Sequence, residues 1–117
     1  MKRIFLTTVA VLALMGAAFA GNASFPGGET AQKEYFVQNL KYPPMAKQNG
    51  IEGVVYVVFT VNIDGSIGNI KIKRMVDPDL ESEAIRLVKG MPKWTPATEN
   101  GAPIESTVEL PVVFTLE

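Results

Sequence analysis

The chain of 117 residues contains no cysteine and no histidine. Without cysteine it has no disulfide bond and no thiolate nucleophile. Without histidine it lacks the imidazole general base and the commonest side-chain ligand of transition metals. Because most catalytic mechanisms and metal sites need one of these groups, we expect no enzymatic activity, no metal, no cofactor and no small-molecule substrate.

The chain also has little net charge, with 11 basic and 12 acidic residues and a formal net charge of -1. Proteins that bind nucleic acid usually present a basic surface, so this balance does not suggest such a partner. Hydrophobic residues make up 47% of the chain. That fraction is enough for one small core, and the chain is too short for two, so we expect a single domain.

Residues 1–20 have the pattern of a secretory signal peptide. A basic start, an apolar run from Ile4 to about Met15 and a final Ala-Phe-Ala triplet predict cleavage before Gly21. The alternative is a retained anchor facing the periplasm, but the apolar run is shorter than the roughly 20 residues that span a bilayer. Cleavage leaves 9 basic against 12 acidic residues, a net charge of -3. An exported domain without cysteine depends on its core alone, and we expect it in a bacterial periplasm.

Residues 54–73 predict a β-hairpin. The segment Val54–Ile63 is β-branched and aromatic, and it is apolar at both alternating sets of positions, which favours a strand in the middle of a sheet. Asp64-Gly65 supplies the residues of a tight turn, and the second strand alternates isoleucine with lysine as far as Lys73. One face of this second strand should therefore lie in water.

Two helices and an edge strand complete the predicted fold. Residues 29–41 are rich in helix formers, and residues 77–90 begin with a capping aspartate and a proline and carry one apolar stripe. The final segment, Ile104–Leu116, alternates and contains Pro111, which indicates an edge because proline donates no ladder hydrogen bond. We predict an α+β fold, a three-stranded antiparallel sheet in the order 2-1-3 with two main helices packed on one face.

Trp94, the only tryptophan, lies between two prolines in the connection from the second main helix to the last strand. We interpret it as a packing residue at the end of the core, because a lone aromatic beside a helix end usually buries apolar area. Three glutamates of the helices are interpreted as surface charges and not as a catalytic pair; they are Glu34, Glu81 and Glu83.

Five motifs follow one another along the chain: "YPPMA" (42–46), "GIEGVVYVVFTVNIDGSI" (50–67), "DPDLESEAIRLVKGMPKWTPA" (77–97), "NGAPI" (100–104) and "LPVVFTL" (110–116). In this order they resemble the carboxy-terminal domain of the TonB energy-transducer family. The leading "FPGGE" resembles the variant common in Bacteroidota. Together they cover nearly all of residues 21–117, and the family's fold, two helices on a three-stranded antiparallel sheet, agrees with the fold predicted above.

The resemblance implies that the domain captures the TonB box, a short extended segment of an outer-membrane receptor, by adding it beside the last strand. This role implies a link to TonB-dependent transport and to an inner-membrane transducer complex. Carried onto this sequence, the partner-binding residues are Tyr42, Pro43, Glu105, Thr107, Glu109, Pro111, Val113 and Thr115.

An open strand edge suits this role, since its unpaired N–H and C=O groups are a template for strand addition. The missing donor of Pro111 should face the free side, which leaves Glu109 and Val113 to offer N–H groups to a guest strand. Side-chain contacts from Tyr42, Val113 and Tyr56 would add to the backbone bonds. The alternative is that Pro111 only protects the edge against aggregation.

The resemblance departs from a full transducer in one respect. Such a transducer has a membrane helix and a long proline-rich segment, whereas residues 21–24 alone separate the signal region from the domain, and four extended residues span about 14 Å. We expect a free-standing periplasmic relative that binds receptor peptides without delivering force, or one that competes with or assists a complete transducer. The alternatives are a structural module, such as a homodimer paired through the last strands, and an exported inhibitor.

Overall fold

The computed structural model describes residues 20–116, and the predicted signal segment, apart from its last residue, lies outside them. Within this range the elements are β1 (Ala20–Gly21), α1 (Gly28–Asn39), α2 (Pro44–Gln48), β2 (Gly53–Val61), β3 (Ile67–Ile72), α3 (Pro78–Lys89), β4 (Ala97–Glu99), β5 (Ala102–Ile104) and β6 (Ser106–Phe114). None of the helices in this part of the chain combines the length and the apolar character that crossing a membrane requires.

The main layer is a three-stranded antiparallel sheet in the order β3-β2-β6. These are the second, first and third strands of the predicted sheet, so the predicted order 2-1-3 and the α+β class are confirmed. Strand β2 lies in the centre because both of its faces are apolar. One alternating set of its side chains is fully buried beneath the helices, while the opposite set is only half-buried. The buried set consists of Val55, Val57, Phe59 and Val61.

Helix α3 packs on the sheet through a single apolar stripe, as its sequence period predicts. Its first turn is capped by Asp77, whose carboxylate accepts hydrogen bonds from the backbone N–H groups of Asp79 and Leu80 at 3.0 and 3.1 Å. Helix α1 lies beside α3, and the hydroxyl of Tyr35 donates to the backbone carbonyl of Leu87 at 2.7 Å. Both main helices therefore cover the same face of the sheet. The stripe of α3 consists of Leu80, Ala84, Leu87 and Val88, all fully buried.

Trp94 is a packing residue, as the sequence suggested, with only 5% of its surface exposed. Its ring meets those of Phe59 and Phe25 edge-on, with centroids 5.2 and 6.0 Å apart. The backbone N–H of Trp94 donates to the carbonyl of Gly65 at 2.9 Å. Gly65 has φ 89°, and a Cβ added there would lie 2.3 Å from the Trp94 carbonyl oxygen. The close approach of the hairpin turn to this connection therefore requires glycine.

A second, smaller sheet in the order β1-β4-β5 was not predicted. The sequence suggested one strand over Ile104–Leu116, but the chain instead forms a short hairpin and starts β6 at Ser106. Asn100 and Gly101 make its two-residue turn, both with positive φ, 53° and 81°. This is the geometry that the Asn-Gly pair favours in hairpins. Strands of two or three residues are too short to show a period, which is why the pattern missed them.

Glu83 is buried, and its interpretation as a surface charge was wrong. The guanidinium of Arg86 donates to both carboxylate oxygens at 2.7 and 2.6 Å, and the backbone N–H of Lys41 donates at 2.7 Å. Burial acts to raise the pKa of Glu83, but these hydrogen bonds outweigh burial and hold that pKa below its usual value. The carboxylate thus ties the segment after α1 to α3.

We predict that Glu83→Gln lowers the free energy of unfolding by about 1.5–3 kcal/mol at pH 7, because charge-assisted hydrogen bonds are lost. The folded-state pKa is depressed, so the carboxylate stabilises the fold at pH values above its unfolded-state pKa, and this stabilisation is lost as the pH falls through the lower folded-state pKa. The difference between variant and parent should therefore narrow toward pH 3. Urea denaturation at the two pH values measures it.

Glu34→Gln is the matched control, because Glu34 is exposed on α1. It should change the unfolding free energy by less than about 0.5 kcal/mol at either pH. An effect of Glu83→Gln that stays constant from pH 7 to pH 3 would contradict the assignment of the stabilisation to the ionised carboxylate.

Candidate functional site

The main sheet has two edges, and they differ in regularity. Strand β3 pairs with β2 through a register shift between Val58 and Thr60, and Asn69 in β3 has φ 50°. A bulge of this kind, together with exposed lysines such as Lys71, protects an edge against a further strand. Strand β6, in contrast, pairs with β2 without a break over nine consecutive positions. The β6 edge is therefore the one suited to accept another extended chain.

The direction of the backbone groups of β6 follows from its partner strand. The N–H of Lys73 donates to the carbonyl of Tyr56 at 2.9 Å, so the backbone groups of Tyr56 point toward β3 and away from β6. Tyr56 lies opposite Pro111. The two residues therefore form a pair without mutual hydrogen bonds, and the carbonyl of Pro111 points to the free side of β6. At this position the missing N–H of proline removes no bond from the sheet.

Alternation along β6 gives the other outward-facing groups. Thr107, Glu109 and Val113 point their N–H and C=O groups to the same side as Pro111. Within residues 20–116, no strand pairs with that side of β6, and no other backbone group is hydrogen-bonded to it. A row of three N–H and four C=O groups is thus vacant, and their side chains are exposed on the face opposite the helices.

The predicted partner-binding residues fall into two groups. Thr107, Glu109, Pro111 and Val113 lie within β6, and Glu105 and Thr115 flank its ends. The remaining two lie on the helix side. Tyr42 packs edge-on against Phe114 with ring centroids 5.7 Å apart, and its hydroxyl donates to the carbonyl of Ile51. Pro43 follows as the N-cap of α2. The aromatic face of Tyr42 is therefore near one end of the edge, while its hydroxyl is already engaged.

Glu109 forms an ion pair across the exposed face of the sheet. Its carboxylate lies 2.9 Å from Nζ of Lys73, and both side chains are largely exposed. An exposed pair of this kind contributes at most about 1 kcal/mol. It leaves the outward backbone groups of Glu109 unaffected, so the pair is compatible with a guest strand at the edge.

Sequence patterns missed a cavity that lies against the same edge, on the helix side of β6. It is bounded by Phe25 and Trp94 and by the first turns of α1. The available signal was the segment Phe25–Gly28, whose Pro-Gly pair favours a turn that fixes the position of Phe25.

The chain is similar over residues 38–116 to the protein family described as "Gram-negative bacterial TonB protein C-terminal". Protein TonB of Helicobacter pylori is 33% identical over 78 residues, which are 66% of this chain and 26% of that protein. Protein TonB of Xanthomonas campestris pv. campestris is 30% identical over 77 residues, 65% of this chain and 34% of that protein. The chain therefore spans only about a quarter to a third of the length of these curated relatives.

The fold is similar to the NMR solution structure of Helicobacter pylori TonB-CTD, with a TM-score of 0.56 and 27% sequence identity. The superposition covers 73% of this chain and 77% of that one. A second, shorter solution structure of the same domain gives a TM-score of 0.55, and the superposition covers 95% of that shorter chain.

The assignment of backbone directions in β6 predicts opposite effects of proline at two neighbouring positions. Val113→Pro removes an outward N–H and should change the unfolding free energy by less than about 1 kcal/mol. Val112→Pro removes an N–H that faces β2 and leaves the buried carbonyl of Val55 unsatisfied, so it should destabilise by more than about 2 kcal/mol. Chemical denaturation of the two variants tests this, and equal destabilisation would contradict the assignment.

Proposed function

The chain belongs to the family of Gram-negative bacterial TonB protein C-terminal domains, and we propose that it captures short extended peptides of outer-membrane receptors by adding them as a fourth strand beside β6. The observation that carries this proposal is the regular edge of β6, whose outward N–H and C=O groups have no partner within residues 20–116. Strand addition is a common mode of peptide recognition, because the backbone supplies affinity whatever the guest's sequence.

The backbone alone provides too little affinity. Seven hydrogen bonds at about 1 kcal/mol net each give roughly 7 kcal/mol. Micromolar binding needs about 8 kcal/mol, and the guest must also be ordered on binding. Side-chain contacts must therefore supply the rest. Val113 and the half-buried ring of Tyr56 offer apolar surface on the exposed face, and Tyr42 lies at the end of the edge.

In this proposal the domain acts in the periplasm, and residues 1–20 carry the export signal. There it meets receptor segments of the TonB-box type and takes part in TonB-dependent transport, with an inner-membrane transducer complex as a further partner. The vacant edge supports the binding step, which needs no catalytic group. A second copy that pairs through its own β6 is the competing occupant, because an antiparallel pair of identical edges forms a symmetric dimer.

Peptides of about ten residues from the amino-terminal segments of outer-membrane receptors of the same genome are the probes for this function. In an amide-shift titration of isotope-labelled protein, the largest changes should occur at Thr107, Glu109 and Val113 and not along β3. Val113→Pro should weaken binding about tenfold or more, because a guest carbonyl loses its donor.

Val113→Ala is the control that separates the backbone from the side chain, since it keeps the N–H and removes only two methyl groups. It should weaken binding less than Val113→Pro. Unchanged affinity of Val113→Pro, or shifts centred on β3, would refute the edge as the binding site. If sedimentation shows a stable dimer that dissociates into monomers when β6 is substituted, a second copy of the chain is favoured as the occupant of the edge.

A further inference from the structure

A cavity of about 320 Å³ lies beside the middle of β6. It touches Val108, Glu109 and Leu110 in succession. The side chains of Val108 and Leu110 point toward the helices, so the cavity lies on the helix side of β6, and Glu109 between them belongs to the row with outward backbone groups. Phe25 and Trp94, both buried, form its apolar floor. The cavity therefore adjoins a residue of the vacant edge described above, Glu109.

The wall opposite β6 is held in place by main-chain hydrogen bonds. Ser24 and Thr95 exchange two of them, at 3.0 and 2.8 Å. Gly28 then donates to the carbonyl of Phe25 at 2.8 Å, and Gly27 between them has φ 90° and ψ -2°, the geometry of the third residue of a type II turn. This turn directs Phe25 against Trp94 and starts α1 at the rim. The cavity is thus formed before any ligand arrives.

A strand added beside β6 would present its side chains alternately to the two faces of the sheet. Guest residues opposite Val108 and Leu110 face the helices, and their side chains project over the cavity. We propose that this cavity is a side-chain pocket that selects guest strands with large apolar residues at these two alternate positions. The inference rests on the proposed function and defines the chemistry of the peptide that it binds.

The charges around the cavity narrow the choice of guest. Glu29 lines the rim in the first turn of α1, and Glu105 lies further along the edge. Neither takes part in a salt bridge within residues 20–116, where the pairs are Lys73 with Glu109 and Arg86 with Glu83. These two carboxylates therefore favour a basic guest residue next to the apolar ones over an acidic one.

The wall lies outside the part of the chain that the family match covers. That match begins at residue 38, whereas the turn at residues 25–28 and the lining residues Glu29 and Gln32 precede it. The floor residue Trp94 and strand β6 lie within it. The edge is thus in the shared segment, while the preference for particular side chains comes in part from the leading segment of this chain.

The first test is a positional scan of a receptor-derived peptide that binds in the titration above. Each position is replaced in turn by alanine, leucine and glutamate. Burying a large apolar side chain contributes about 1.5–3 kcal/mol, which corresponds to about ten- to hundredfold in affinity. At two positions separated by one residue, alanine should weaken the affinity of the peptide by about that factor, and glutamate should weaken it more. Substitutions at the position between them should change the affinity less than about threefold.

The second test changes the protein. Gln32→Phe places a ring in the cavity and should weaken binding about tenfold and abolish the preference for large apolar guests. Gln38→Phe is the matched control, the same substitution at an exposed position of the same helix, and should bind as the parent does. Because Trp94 is the only tryptophan, its fluorescence should report occupation of the pocket in the parent and not in Gln32→Phe.

The outcomes separate this inference from the function on which it rests. The pocket is refuted if a peptide binds at β6 without alternating sensitivity in the scan, or if Gln32→Phe and Gln38→Phe bind it with equal affinity. Either result remains consistent with strand addition at β6. Failure of every peptide to bind at β6 overturns both. Alternating sensitivity that disappears in Gln32→Phe supports the pocket.

Discussion

The unbroken pairing of β6 with the central strand β2 is the constraint on which the rest of the structure depends. Nine consecutive pairs, from Gly53 with Phe114 to Val61 with Ser106, fix which face and which side every residue of β6 occupies. The buried face of β2 holds this register, because a slip of one residue would move valine and phenylalanine side chains from the core to the solvent-exposed face. Pro111 fits only because its missing donor falls on the free side.

The two edges of the main sheet differ in regularity, and within residues 20–116 the β6 edge is the one that suits the strand addition proposed above. On β3, the register shift and the positive φ of Asn69 disturb the ladder that an added strand needs, and exposed lysines such as Lys71 add charge that disfavours further pairing. On β6, the ladder is regular, and a cavity bounded by Phe25 and Trp94 lies on the helix side of the strand. Trp94 thus belongs both to the core and to the cavity, since its ring packs against Phe59 and also borders the cavity.

The order of the main sheet and the place of Pro111 in an edge strand could be predicted because each rests on a local pattern. The two-sided apolarity of β2, the aspartate-proline start of α3 and the alternation around Pro111 are all visible in the chain. The burial of Glu83 could not be seen, because its partner Lys41 lies 42 positions away and bonds through its backbone. The cavity also depends on distant contacts, those of Phe25 with Trp94, for which no short pattern exists.

Hydrogen exchange of the β6 amides tests the central claim most directly, because it reports each N–H separately. In the free protein the amides of Val108, Leu110 and Val112, which face β2, should be protected, and those of Thr107, Glu109 and Val113 should exchange quickly. Saturation with a bound peptide should slow the second set to the level of the first. Equal protection of both sets without peptide, or fast exchange of the outward amides in its presence, would contradict a vacant edge that accepts a strand.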